Sequence, residues 1–168
     1  MTSTPMAGWT EAMQMPMKLQ KGLENLGKLN EDDIQIGCTP KEEVFAIDHV
    51  RLYRYAPAEG AQSGAVTTPI LISYALVNRP YMVDLQEDRS LVRNLTSRGM
   101  EVYLVDWGYP GPLERWITLD DIIDEYLDAC VDAVRARSGK DRINILGICQ
   151  GGAFSLCYTA LHQDKVKN

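Results

Sequence analysis

Gly147-Ile148-Cys149-Gln150-Gly151 places a thiol between glycines at −2 and +2. An apolar run, residues 143–148, comes immediately before it, and "GGAFSLCYTALH" restarts a helical pattern immediately after. Strand, sharp turn and helix in that order form the context in which a fold lifts a nucleophile clear of its sheet. The two glycines let strand and helix close on a strained turn without a clash. The helix then points its N-terminus at the thiol, where its dipole and free N–H groups favour a thiolate and a developing oxyanion. Gln150 is expected to donate to that oxyanion through its backbone N–H. The second donor is expected from the loop after the third strand, around Val77 and Asn78.

Sulfur in place of oxygen bears on the substrate. Acyl exchange between two thiols is nearly balanced in energy, so an acyl group taken from a thioester stays activated for a second transfer. Cys149 therefore suggests acyl transfer from a thioester ahead of simple ester hydrolysis. The other cysteines are Cys38, Cys130 and Cys157. None is spaced from another as in a zinc site or a CxxC pair, so free thiols in a reducing cytosol and no metal are expected. Cys157, eight residues past Cys149, is expected to pack inward.

A nucleophile of this kind needs a base and an acid that orients it. The chain has two histidines. His49 lies upstream, near the first strands. His162 lies far down the helix that starts at Cys149, about 20 Å along a straight axis. Both are expected to be surface or ordinary packing residues. Asp164 is at the same far end, and Asp106 is better placed to line the site than to orient a histidine.

The elements that must carry this turn can be read along the 168 residues. Met15, Leu19, Leu23 and Leu26 share one helical face, and Pro16 is expected to limit that helix to the residues after it. Packing of this helix on its own domain is expected. "NEDDIQIGCTPKEE" reads as a linker. "EVFAIDHVRLYRYAP" holds two short strands, and residues 59–69 form a loop of small residues. Residues 70–78 form a strand covered on both faces. Residues 91–95 form a short helix closed by Gly99, and 101–107 the next strand. Thr118 opens a capping-box-like start to a four-turn helix that Gly139 closes. Strands and helices alternate, which predicts an α/β fold with a mostly parallel sheet and flanking helices. Two segments are expected, a helical one at 1–33 and an α/β domain at 34–168.

Net charge is −6, which excludes a general nucleic-acid binder, since neutralising phosphates takes clustered Lys and Arg. The first residues lack the apolar core of a secretory signal, and no apolar run is long enough to span a bilayer.

From about residue 34 onward the sequence resembles the catalytic subunit of a class III polyhydroxyalkanoate (PHA) synthase, a two-component enzyme of the α/β-hydrolase superfamily. "LYRYAP", "YALVNRPYMVDLQEDRS", "VYLVDWGYP", "TLDDII" and "LGICQGGAFSLCY" carry the resemblance. It implies an acyltransferase that polymerises (R)-3-hydroxyacyl-CoA, typically 3-hydroxybutyryl-CoA, through a thioester on Cys149, with release of CoA. It implies that Val77 and Gln150 line the oxyanion hole through their backbones, with Gly147 and Gly151 as the glycines of the turn. No cofactor is implied beyond the CoA thioester substrate. A PhaE-type second subunit, a homo-oligomer and a cytoplasmic place at the surface of PHA granules are implied as well. The family's Asp and His follow its nucleophile, whereas only 19 residues follow Cys149 here. The expectation is an N-terminal part of a synthase subunit: an α/β-hydrolase fold truncated after the elbow helix, lacking the catalytic Asp and His and inactive alone. The alternatives are an esterase or thioesterase of the same fold, and a non-catalytic remnant that binds synthase subunits.

Overall fold

A computed structural model of the chain describes residues 6–28, 36–61 and 68–168. The chain divides into two units, Met1–Gln35 and Ile36–Asn168. The first contains helix α1 (Met6–Leu26). The helix runs through Pro16 rather than starting after it. Proline removes one backbone donor, and twenty-one residues of mostly good helix formers carry the helix past that loss. Met15, Leu19, Leu23 and Leu26 are all exposed. Of the expected linker, residues 30–35 lie outside the described residues, as do 62–67 of the small-residue loop.

The second unit is built on a five-stranded sheet in the order β1-β2-β6-β3-β7. Its strands are β1 (Glu42–Ile47), β2 (Val50–Tyr55), β3 (Ile70–Ser73), β6 (Val102–Asp106) and β7 (Asn144–Gly147). β1, β2 and β6 pair antiparallel, and β3 lies parallel to both β6 and β7. The expected linker is shorter than its polar composition suggests, because β1 already starts at Glu42.

The nearly unbroken apolar runs of β3 and β6 serve both faces of the sheet, as buried parallel strands do. On one face Leu71, Tyr103 and Val105 pack with Leu127, Cys130, Val131, Val134, Phe154 and Tyr158 from the helices described below. On the other, Ile72, Val102 and Leu104 pack with Val83 and Val92. β3 ends at Ser73, earlier than expected, and residues 74–79 turn away as a loop.

A small hairpin, β4 (Asp84–Gln86) with β5 (Arg89–Ser90), precedes helix α2 (Leu91–Thr96). Its buried anchor is Asp84, whose carboxylate accepts the Thr39 N–H at 3.0 Å, the Thr39 hydroxyl at 2.7 Å and the Ser90 hydroxyl at 2.6 Å. A buried carboxylate is tolerated when its lone pairs are filled in this way.

Thr118 and Asp121 cap each other: Thr118 donates to Oδ2 of Asp121 from its N–H and its hydroxyl, and the Asp121 N–H returns to Oγ1. These bonds hold the Asp121 carboxyl below its ordinary range. The expected four-turn α-helix is instead a π-helical stretch, Asp121–Leu127, that continues into α3 (Asp128–Ser138). The wider register persists where tertiary bonds hold it: the Tyr126 hydroxyl donates to Asp48 and Asp124 faces His162. Gly139, at φ 66°, closes α3 in the left-handed conformation. Along β7, the Ile143 and Ile145 N–H groups donate to the carbonyls of Lys165 and Asn168, and the Lys167 N–H returns to Ile143. Residues 165–168 thus begin to cover the edge of β7, which is half-buried throughout.

Candidate active site

β7 delivers the chain into the turn at Cys149, and α4 (Gln150–Leu161) leaves it. Cys149 is the N-cap of α4 and holds φ 57° and ψ −128°, a conformation that side chains rarely adopt. Such strain persists where the surroundings impose it and concentrates at functional positions. Two approaches impose it here. A Cβ on Gly147 would stand 2.6 Å from the Gly152 Cα and 2.7 Å from the Gly151 carbonyl oxygen. A Cβ on Gly151 would collide with the Ser73 and Tyr74 backbone. Strand and helix meet only because both positions are bare.

The Cys149 side chain is exposed at the helix N-terminus. The first N–H groups of a helix have no partner within it. Among the described residues the Gln150 N–H makes no hydrogen bond, and neither does the N–H of Val77. The loop after β3 is joined to the elbow: the Leu76 N–H donates to Gln150 Oε1 at 3.1 Å. It is braced from β6 as well. The Trp107 indole N–H donates to the Tyr74 carbonyl at 3.1 Å, and Arg79 donates to the Gly108 carbonyl at 3.1 Å while lying over the Tyr109 ring. Leu76, whose contact with Gln150 joins loop and elbow, is the residue that sequence reasoning missed; nothing local marks it.

The remaining candidates lie elsewhere. His162 caps the far end of α4, a helix of 12 residues and so about 18 Å long. There it stacks on Tyr158 and sits 3.0 Å from the Asp124 carboxylate. His49 packs edge-on against Tyr126, and its Nδ1 is buried without a partner among the described residues. Asp106 accepts the Gly108 N–H, and Asp164 offers its carbonyl to Arg142. Cys157 is exposed, contrary to expectation. The buried face of α4 is Gly151, Phe154, Ser155 and Tyr158, and Cys157 lies on the opposite side with the exposed Leu156 and Leu161. No cluster of His, Cys, Asp or Glu that could hold a metal occurs among the described residues.

A mixed β-sheet, parallel around β3, with a strained cysteine on a strand-to-helix turn defines a class. Residues 68–168 match the alpha/beta hydrolase fold family, and the chain belongs to it. More particular relatives match almost the whole chain. It is 56% identical to the poly(3-hydroxyalkanoate) polymerase subunit PhaC of Synechocystis sp. over 94% of its own length and 41% of that protein. It is 54% identical to PhaC of Allochromatium vinosum over 94% of its length and 44% of that protein, and 31% identical to PhaC of Cupriavidus necator over 80% and 24%. The chain thus spans less than half the length of these curated relatives. Among solved structures, a candidate lipase from Sulfolobus solfataricus aligns over 82% of this chain and 46% of its own, with a TM-score of 0.57 at 17% identity. A laboratory-evolved variant of potato epoxide hydrolase StEH1 aligns over 76% and 38%, with a TM-score of 0.52 at 15% identity. At those identities the likeness is one of fold.

Proposed function

We propose that this chain carries the acyl-accepting centre of a poly(3-hydroxyalkanoate) polymerase. The observation that carries the reading is the strained, exposed Cys149 on the elbow of a chain 56% identical to PhaC. The Cys149 thiolate attacks the carbonyl of a (R)-3-hydroxyacyl-CoA. The negative charge that develops on the carbonyl oxygen is met by the N–H groups of Gln150 and Val77. The C–S bond to CoA then breaks, leaving the acyl group on Cys149 as a new thioester and CoA as a thiolate, which takes up the proton that the Cys149 thiol gave up. The 3-hydroxyl of the next hydroxyacyl thioester, giving its proton to a general base, attacks that thioester in turn; the C–S bond to Cys149 breaks, the Cys149 thiolate departs, and the polyester is longer by one unit. No cofactor takes part.

The second step needs a general base, which typically contributes roughly 10²–10⁴-fold. Neither histidine of the chain is placed at the elbow to act as that base. His162 is engaged with Asp124 at the far end of α4, and His49 packs on Tyr126. By the same resemblance the partners are a PhaE-type subunit and further copies of the polymerase at a granule surface in the cytoplasm. Among the described residues no helix is long and apolar enough to cross a membrane.

The test is incubation of the chain with 3-hydroxybutyryl-CoA, followed by peptide mass spectrometry and CoA titration. The expected result is one hydroxybutyryl group on Cys149 and about one CoA released per chain, with no sustained turnover. Adducts on Cys38 or Cys157 with Cys149 unmodified would overturn it.

A further inference from the structure

We propose that the side chain of Gln150 is a positioning residue, which locks the loop after β3 onto the elbow and so holds the loop's oxyanion donor in place relative to the Gln150 N–H. This rests on the acyl-transfer reading above and assigns a role to an atom that the reading leaves idle. The two oxyanion donors belong to segments far apart in sequence: Gln150 opens α4, and Val77 lies in the loop at 74–79. Their mutual placement must be held by something, because a donor displaced by an ångström loses most of its effect on the transition state.

Among the described residues three side-chain bonds hold the loop. Those from Trp107 and Arg79 tie it to β6 and the turn beyond. The bond from Leu76 N–H to Gln150 Oε1, at 3.1 Å, is the one of the three that joins it to the nucleophile's own turn. The Val77 N–H, next along the loop, is without a partner among the described residues, as are those of Ala75 and Asn78, so the Gln150 bond fixes where these donors stand relative to the elbow. One residue thus supplies a donor through its backbone and steadies the segment that carries the other through its side chain. Gln150 is exposed, so its bond adds little to folding, and its effect is expected in the reaction.

The test separates reactions that build an oxyanion from one that does not. Acylation of Cys149 by 3-hydroxybutyryl-CoA passes through a tetrahedral oxyanion; alkylation by iodoacetamide, at a saturated carbon, does not. Both rates are followed at the Cys149 peptide by mass spectrometry, in the natural chain and in Gln150→Met, which keeps the length and removes the acceptor. The expected result is acylation slowed about tenfold to a hundredfold, alkylation unchanged within about twofold, and faster hydrogen exchange at the Leu76 amide. Equal slowing of both reactions, or acylation unchanged in the variant, overturns the role while leaving the acyl-transfer reading intact. Absence of acylation in the natural chain sinks that reading, and this role with it.

Discussion

Gly151 lies so close to β3 that a Cβ on it would stand 2.0 Å from the Ser73 carbonyl oxygen. That oxygen is not free to move, because it also accepts the Ile148 N–H at 3.0 Å. The neighbouring obstacles, the Ser73 carbonyl carbon at 2.5 Å and the Tyr74 oxygen at 2.6 Å, are backbone too. Gly151→Ala must therefore push α4 off the sheet. The expected loss is more than about 2 kcal/mol, read from the urea midpoint. Gly22→Ala in α1, where nothing among the described residues beyond the helix's own adjacent backbone lies within 4 Å of the added carbon, is the control and should be neutral or slightly stabilising. Equal behaviour of the two variants would contradict the packing described.

Cys149→Gly should make the protein more stable and chemically silent. The backbone at φ 57° and ψ −128° costs a non-glycine residue about 1–3 kcal/mol. Glycine relieves most of this and gives back about 0.5–1 kcal/mol through its freer unfolded chain. A net gain of about 1 kcal/mol corresponds to a rise of roughly 2–4 °C in the thermal midpoint for a chain of this size. The acyl adduct from 3-hydroxybutyryl-CoA should vanish. A lowered midpoint would show that the turn is not strained.

The four thiols should divide three to one. Cys38, Cys149 and Cys157 are exposed, whereas Cys130 is buried on α3 and burial pushes its thiol up to about 12. A disulfide reagent at pH 8 should titrate three thiols quickly and the fourth only on unfolding. Two fast thiols would return Cys157 to the inward-facing position that its sequence suggests.

How much of this could be read beforehand depends on how local each cause is. The elbow was legible because its glycines, its thiol and the change from strand to helix lie within a few residues. The order of strands and helices followed from apolar runs and turn residues. The side of Cys157 did not. Phe154, Leu156, Cys157, Tyr158 and Leu161 leave α4 apolar all round, and such a pattern cannot say which face is inward. The π stretch escaped because widening the helix for two turns leaves the three-and-four spacing almost unchanged. The β4–β5 hairpin is only three residues against two, too short for an alternating pattern. The Gln150 bond joins residues 74 apart, and neither end carries a mark of the other.

Lys165 ties residues 165–168 to α3, and its loss should be visible in both stability and pH dependence. Its ammonium donates to Asp128 Oδ1 at 2.7 Å and to Asp132 Oδ2 at 2.9 Å, while Tyr158 also donates to Asp128 and Arg135 to Asp132. Burial pulls the Lys165 ammonium down, but its two carboxylate partners outweigh this and hold it above the ordinary range. Burial likewise raises Asp132, and the bonds from Lys165 and Arg135 overcome it and hold the carboxyl low. A carboxyl lowered by folding stabilises above its unfolded value, about 3.9, and that stabilisation is lost as pH falls through the folded value. An ammonium raised by folding stabilises below about 10.4, and that stabilisation is lost as pH rises through its folded value. Between about pH 5 and pH 10 both contributions are complete. Lys165→Met should lower stability there by about 1 kcal/mol, a modest figure because the partners are partly solvated. The gap between natural chain and variant should narrow as Asp132 takes up its proton in acid. Because the Lys165 carbonyl accepts the Ile143 N–H at 3.0 Å, exchange at the Ile143 amide should quicken in the variant. A stability gap that stays constant down to pH 2 would show that the loss is one of packing rather than of charge.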